Sequence, residues 1–279
     1  LNQSLSGPAN PVQQANLAYN NLLLSVLCAS VVNLLSAFTL PASIVKLIDH
    51  AVLHPTQTDA DVRAACALCA ELGVASVCVK PSHVPLAVEC LRDSGVLVST
   101  VIGFPHGGAA TETKVAETHL ACQQGAREVD MVANIGKALT GDWAYVEADL
   151  RAVVDAARSH GAITKVIFET GLLPNDDIKI RLCQASEAAG AAFVKTSTGF
   201  GFVKGADGAM TATGATEHDI KLMRSTCGPQ TQVKASGGIR SYADARRFVD
   251  LGATRLGTSG TKEIAAGELG EQTTGKSSY

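Results

Sequence analysis

From Ile44 onward the chain alternates between two hydrophobic rhythms. Short apolar runs fall at residues 46–53, 76–79, 97–102, 128–133, 164–169, 192–198, 232–235 and 255–258, each about as long as a buried strand. Between them, at 58–72, 83–94, 112–124, 143–160, 176–189, 217–225 and 242–251, apolar residues recur at helical spacing. Thr58 stands three residues before Asp61 and Ser241 three before Asp244, which marks helix starts. Gly73, Gly95, Gly125, Gly161, Gly190 and Gly252 stand where helices should stop. Strand then helix, eight times over, implies parallel strands joined by crossover helices. No Gly-x-Gly-x-x-Gly follows the first run, so residues 44–267 are expected to close into an α/β (β/α)8 TIM barrel, not a doubly wound sheet.

Residues 1–43 read as an N-terminal extension, partly helical. The first twenty are polar and carry Pro8 and Pro11. The stretch from Leu22 to Leu40 has no charged residue and is long enough to raise the question of a membrane span. Ser25, Ser30, Asn33, Ser36 and Thr39 interrupt it, and no Lys or Arg occurs before Lys46 to anchor it. One or two helices lying on the body of the protein are expected there, and no membrane association. Residues 268–279 read as a flexible C-terminal tail.

Composition narrows the classes. Of 279 residues, 46% are hydrophobic and 18% charged, enough apolar surface for a large core. A formal charge of −3 without a basic stripe argues against nucleic acid as a partner. The eight cysteines are scattered through apolar contexts, as expected of reduced core residues in the cytoplasm. Cys66 and Cys69 form a lone C-x-x-C on one helical face, so packing is the expected role and no metal is implied. His50 and His54 have metal-like spacing but lie in strand-like surroundings next to Pro55.

The chemistry collects at the carboxyl ends of the strand runs, which share one mouth in a barrel. Asp49 lies in the first run, and Cys78 and Lys80 end the second. Gly103 to Gly107 follow the third, Asp130 and Asn134 mark the fourth, and Lys165 and Glu169 the fifth. Lys195 ends the sixth and Lys234 the seventh. Charged residues inside strands are almost never buried unpaired, so these point to a site more than to packing. Two neighbouring lysines lower each other's pKa, and desolvation acts the same way. The product is a neutral amine able to attack a carbonyl and form a Schiff base, with Asp130 moving protons. These residues alone do not choose between Lys195 and Lys234 as nucleophile. Gly237, Gly238 and Ser259, at the ends of the last two strands, occupy the usual phosphate corner of a barrel. A phosphorylated carbonyl compound is the expected substrate, with no cofactor.

The segments Val194-Lys195-Thr196-Ser197-Thr198-Gly199-Phe200-Gly201, Val233-Lys234-Ala235-Ser236-Gly237-Gly238 and Glu128-Val129-Asp130-Met131-Val132 closely resemble those of class I deoxyribose-phosphate aldolases. Gly103-Phe104-Pro105-His106-Gly107, the run from Lys165 to Gly171, and Gly257-Thr258-Ser259 match in the same order, and the likeness spans residues 44–267. The resemblance implies reversible cleavage of 2-deoxy-D-ribose 5-phosphate to D-glyceraldehyde 3-phosphate and acetaldehyde. It places the Schiff base on Lys195, the perturbing lysine at Lys234, the proton relay at Asp130 and a supporting lysine at Lys165. It puts phosphate contacts at Gly199, Gly237, Gly238 and Ser259, a pocket cysteine at Cys78, and a tail tyrosine that aids proton transfer at Tyr279. Asp49-His50-Ala51 departs from the family, which usually carries Thr where Ala51 stands. The loss of one hydroxyl touches efficiency and substrate preference more than reaction class. A barrel that serves mainly as a phosphate-ligand or protein-binding scaffold, and an aldolase acting on another sugar phosphate, are the competing readings. Barrel enzymes often associate, so a homo-oligomer is allowed, with Leu22 to Leu40 as the candidate contact surface.

Overall fold

The computed structural model describes residues 43–205 and 207–271. The helices expected between Leu22 and Leu40, and residues 272–279 of the expected tail with Tyr279, lie outside the described residues; Glu268, expected to open the tail, instead ends a helix and accepts the Ile44 N–H at 2.7 Å. Eight parallel strands close into a barrel. They are β1 (Ile48–Val52), β2 (Ser76–Val79), β3 (Leu97–Ile102), β4 (Glu128–Val132), β5 (Ile163–Ile167), β6 (Phe193–Lys195), β9 (Gln232–Ser236) and β10 (Arg255–Thr258). Around the barrel the order is β1-β10-β9-β6-β5-β4-β3-β2, and β2 pairs with β1 to close the ring. Between β6 and β9 a small antiparallel hairpin, β7 (Phe202–Lys204) with β8 (Met210–Ala212), stands outside the barrel.

The helices follow their strands: α1 (Asp59–Leu72), α2 (Val84–Leu91), α3 (Thr111–Gln123), α4 (Ile135–Leu139), α5 (Trp143–Arg158), α6 (Asp176–Ala189), α7 (Glu217–Thr226), α8 (Tyr242–Asp250) and α9 (Thr261–Glu268). Both expected capping pairs form. Asp61 accepts the Thr58 N–H at 2.7 Å, and the Ser241 hydroxyl accepts the Asp244 N–H at 3.1 Å. Gly73 and Gly190 end their helices in the left-handed region, at φ 61° and 84°, where a side chain would be strained. No helix among the described residues is long and apolar enough to cross a membrane.

The two faces of each strand do different work. Side chains alternate, so in Glu128-Val129-Asp130-Met131-Val132 the acids point one way and Val129 and Met131 the other. Val129 and Met131 join Ile48, Val77, Val166, Val194, Val233 and Leu256 in one buried apolar layer beneath the helices. That layer is the core. The barrel interior carries the charged side chains, and at its mouth Leu53, Cys78 and Val101 with Ala51, Phe104 and Phe200 form a small apolar group.

Several elements differ from the sequence expectation for local reasons. The first strand begins at Ile48, because Ile44–Leu47 forms one tight helical turn. From that turn the Lys46 ammonium caps the Leu72 and Gly73 carbonyls at 3.3 and 2.8 Å, closing α1. The sixth strand stops at Lys195, after which Thr196 to Thr198 run into the mouth. The hairpin and the short helices α4 and α9 had no expectation. Cys66 and Cys69 are buried in the apolar layer on α1, as their spacing predicts.

His50 lies on the outer face of β1, where its Nδ1 shares a hydrogen bond of 2.8 Å with the Thr261 hydroxyl of α9. Burial pushes its pKa down to about 4, so the folded protein keeps it neutral. As pH falls below the ordinary histidine value of about 6.5, the unfolded chain gains a proton that the folded one refuses, and stability is lost down to about pH 4. Chemical denaturation should show a loss of about 2 kcal/mol from this group between pH 7 and pH 5. His50→Gln should lack that part of the slope. Identical slopes in both proteins would contradict the assignment.

Candidate active site

The alternation that gives β4 its two acids places charge on the inner face of six strands. Asp49 of β1, Glu128 and Asp130 of β4, Lys165 of β5, Lys195 of β6, Lys234 of β9 and Arg255 of β10 meet inside the barrel. Asp130 is the hub. Its Oδ1 accepts a hydrogen bond from Lys165 Nζ at 2.7 Å, and its Oδ2 accepts from Lys195 Nζ at 2.8 Å and Lys234 Nζ at 2.7 Å. Asp49 accepts from Lys234 at 2.5 Å, from Arg255 at 2.6 Å and from the Ser76 hydroxyl at 2.7 Å. Glu128 bridges Lys165 at 2.6 Å and Arg255 at 2.8 Å.

Charges buried this deeply are tolerated only when paired, so the count of partners matters. Three carboxylates face four cations. Lys165 reaches all three acids, and Lys234 and Arg255 reach two each. Among the described residues Lys195 has a single anionic partner, Asp130, which it shares with the other two lysines. The interior is electrically balanced when Lys195 is neutral.

The titration behaviour follows this count. Burial lowers the Lys195 pKa, Asp130 restores part of it and the Lys234 charge lowers it again, leaving it below the ordinary lysine range. Burial also opposes charge on Lys234, but Asp130 and Asp49 outweigh it and hold the group above that range. For Lys165 burial is likewise outweighed, by Asp130, Asp49 and Glu128. Asp130 stays well below the usual carboxylate range, since Lys165, Lys195 and Lys234 more than offset its burial. The expected mutual lowering of the two lysines is therefore one-sided: Lys234 depresses Lys195, while its own two carboxylates keep Lys234 charged.

A cavity of about 440 Å³ opens at the barrel mouth over the ends of β1, β6, β9 and β10. All four expected phosphate positions, Gly199, Gly237, Gly238 and Ser259, line it, together with Arg240, which the sequence reading missed as a site residue. Gly199 and Gly238 adopt φ of 86° and 81°, and added Cβ atoms there would meet nothing within 4 Å. Gly237 touches the backbone of the opposite loop: a Cβ on it would lie 2.9 Å from the Gly214 Cα. One layer below, a Cβ on Gly257 would lie 2.5 Å from the Ser236 Oγ and 3.1 Å from the Lys234 Cε, so only glycine fits beside that lysine. Ser236, two residues beyond Lys234, joins the cavity wall to the charged layer beneath it.

Other expected positions separate from this centre. Lys80 turns away and donates to the carbonyls of His54, Pro55 and Gln57, so it fixes a loop. Asn134 caps α4 by accepting the Lys137 N–H at 3.1 Å. In the loop after β3, Glu117 ties down the Gly103 N–H at 2.7 Å, and Phe104 stands edge-on to Phe200 at 5.4 Å in the apolar mouth. Cys78 is buried in the same mouth group, and burial next to Asp130 pushes its thiol pKa up. Ala51 lines the cavity where a hydroxyl was expected from the family pattern. Glu128 and Arg255 were read as plain strand residues, although the acid pair at 128 and 130 carries the alternation of an inward face.

Most of the chain matches known proteins. The model of the DeoC/LacD family aldolases matches residues 43–263. The chain is 47% identical over 228 residues to a deoxyribose-phosphate aldolase of Clostridium perfringens, covering 82% of this chain and 96% of that one. It is 47% identical to deoxyribose-phosphate aldolase 2 of Staphylococcus aureus, over 80% and 95% of the two chains. Among solved structures it resembles the tetrameric deoxyribose phosphate aldolase of Aeropyrum pernix, with a TM-score of 0.71 and 32% identity over 79% of this chain and 88% of that one.

The balance of charges makes a test with two opposite signs. Lys234→Leu removes a repelling cation and leaves the acids in excess, so the Lys195 pKa should rise. Glu128→Gln removes an acid and should lower it. The acid limb of imine formation with acetaldehyde, followed by borohydride trapping, reads both. Shifts in the same direction would refute the charge count.

Proposed function

The chain belongs to the DeoC/LacD aldolase family, and on that footing we propose that it cleaves 2-deoxy-D-ribose 5-phosphate reversibly to D-glyceraldehyde 3-phosphate and acetaldehyde. Lys195 is the nucleophile. The observation that carries this choice is its position as the surplus cation around Asp130, with the depressed pKa that follows. Its neutral amine attacks the aldehyde carbon of the open-chain sugar, and the carbinolamine loses water to give an iminium ion. Removal of the proton from the C3 hydroxyl breaks the C2–C3 bond, and the electron pair flows into the iminium. Glyceraldehyde 3-phosphate leaves, the enamine is protonated at C2, and water releases acetaldehyde and the free lysine.

Asp130 moves the protons, because it sits within hydrogen-bond reach of the Lys195 amine, and Lys234 exchanges them with Asp130 across the bond those two share. Lys165 keeps Asp130 ionised, and Asp49 does the same service for Lys234. The phosphate is held at Gly199, Gly237, Gly238 and Ser259, beside Arg240 and the amino end of α9. Cys78 lies in the apolar mouth group close to the amines, and Tyr279 remains a candidate proton donor on the tail. Residues 1–43 are an extension to the barrel, and the residues beyond α9 a tail, with a cytoplasmic location that suits unpaired thiols. A homo-oligomer is in keeping with the tetramer of the Aeropyrum pernix relative.

Borohydride reduction in the presence of acetaldehyde should fix an adduct on Lys195, located by peptide mass spectrometry, and none on a folded Lys195→Leu protein. Cleavage of deoxyribose 5-phosphate should fall at least a thousandfold in that variant. An adduct confined to Lys234 would reverse the two roles, and fructose phosphates cleaved faster than deoxyribose 5-phosphate would change the substrate. Ala51→Thr should return a hydroxyl to the cavity wall and raise kcat/KM roughly two- to tenfold, the span of one hydrogen bond. A variant no faster than the parent would show that Ala51 is not what limits turnover.

A further inference from the structure

Glu169 follows β5 by two residues and is the only non-glycine residue with positive φ, 55°, among the described residues. Such a backbone persists only where the surroundings over-determine it. Its side chain is 1% exposed. One carboxylate oxygen accepts the Thr198 N–H at 3.1 Å and, in a closer contact, the Thr198 hydroxyl; the other accepts the Thr213 hydroxyl at 3.1 Å. The Thr198 oxygen in turn accepts the Phe200 N–H at 2.9 Å. A Cβ on Gly201 would lie 2.7 Å from the Glu169 Cδ, so the backbone of that segment rests directly on the carboxylate.

Thr198 and Thr213 are the two ends of the stretch that carries the hairpin. Within it Thr198, Gly199, Phe200, Phe202 and Ala212 line the cavity, and Glu169 does not. The hairpin has little core of its own, with Phe202 50% and Met210 62% exposed, and two strands alone are marginal in water. Its placement therefore falls to its ends. Lys195, by contrast, sits inside the sheet on Asp130 and shares no hydrogen bond with Glu169 among the described residues.

We propose that Glu169 is a positioning residue: it clamps both ends of the 198–213 segment and so sets the phosphate-gripping wall of the cavity without taking part in the lysine chemistry. The proposal rests on the phosphate reading given above. It predicts a split between KM and kcat that general loss of structure would not produce.

Glu169→Met removes the acceptors, and Thr213→Val releases only the hairpin end. Steady-state kinetics with 2-deoxyribose 5-phosphate and with unphosphorylated 2-deoxyribose, plus acetaldehyde trapping on Lys195, test both variants. Glu169→Met should raise KM for the phosphorylated sugar tenfold or more, with kcat within threefold and trapping at the parent rate; Thr213→Val should raise KM a few-fold. KM for the unphosphorylated sugar should move less than threefold. If Glu169→Met does not fold, the Thr213→Val result decides alone. Unchanged KM in the folded variants, or a fall in kcat and trapping at constant KM, would overturn the positioning role while a parent preference for the phosphorylated sugar stands. A parent enzyme indifferent to the phosphate would overturn the phosphate reading, and this role with it.

Discussion

The contact on which the site depends is the Asp130 carboxylate holding three ammonium groups from three strands at 2.7 to 2.8 Å. In the low dielectric of a barrel interior each of these bonds is strong, and each would be costly to leave unmade. One acid cannot neutralise three cations, so the remainder of the network is a response to it. Asp49 and Glu128 supply the missing negative charge, and Arg255 links them from the edge. The lysine left with the fewest acids is the one whose amine is easiest to deprotonate. Which amine is easiest to deprotonate is thus a property of the whole interior, not of the sequence around Lys195.

A barrel this charged inside folds because alternation keeps its stabilising and its reactive surfaces apart. Val129, Val194 and Val233 face the helices and bury apolar area, while Asp130, Lys195 and Lys234, one residue away on the same strands, face inward. Strand pairing is continuous around the ring, which leaves the network no edge through which to relax. The lysine tips are held by the same hydrogen-bonded frame that holds the fold. Such rigidity suits a site in which an ångström decides whether an amine can reach a carbonyl.

This division also explains what the sequence could say. The eight strand positions were legible because most outward residues are apolar, and the capping pairs at Thr58 and Ser241 were local chemistry that tertiary structure left in place. Asp130, Lys165, Lys195 and Lys234 were legible as charges where apolar residues were expected. Which of Lys195 and Lys234 keeps the lowered pKa was not, since it depends on how many acids surround each amine across the barrel. Lys80 misled because a lysine at a strand end reads the same whether it faces the mouth or, as here, three loop carbonyls. The hairpin escaped notice because three-residue strands with exposed faces carry almost no hydrophobic pattern. Glu169 was legible as a charge at a strand end, but a glutamate there gives no sign that both ends of a distant segment will close on it.

The asymmetry of the cavity follows from the same frame. Its glycine-lined wall lies over β9 and β10, where backbone can approach a ligand closely, as at Gly237 and Gly238. Leu53, Cys78 and Val101 form an apolar face at the mouth, closed by Phe104 and Phe200. A substrate anchored by an anionic end at the glycines must direct its uncharged end toward the lysines and this apolar face. A two-carbon fragment on Lys195, having no charge of its own to hold it, would be retained by that face and by the imine bond alone. Under the proposed function the barrel would sort the two halves of one substrate by polarity, with the amine where the halves meet.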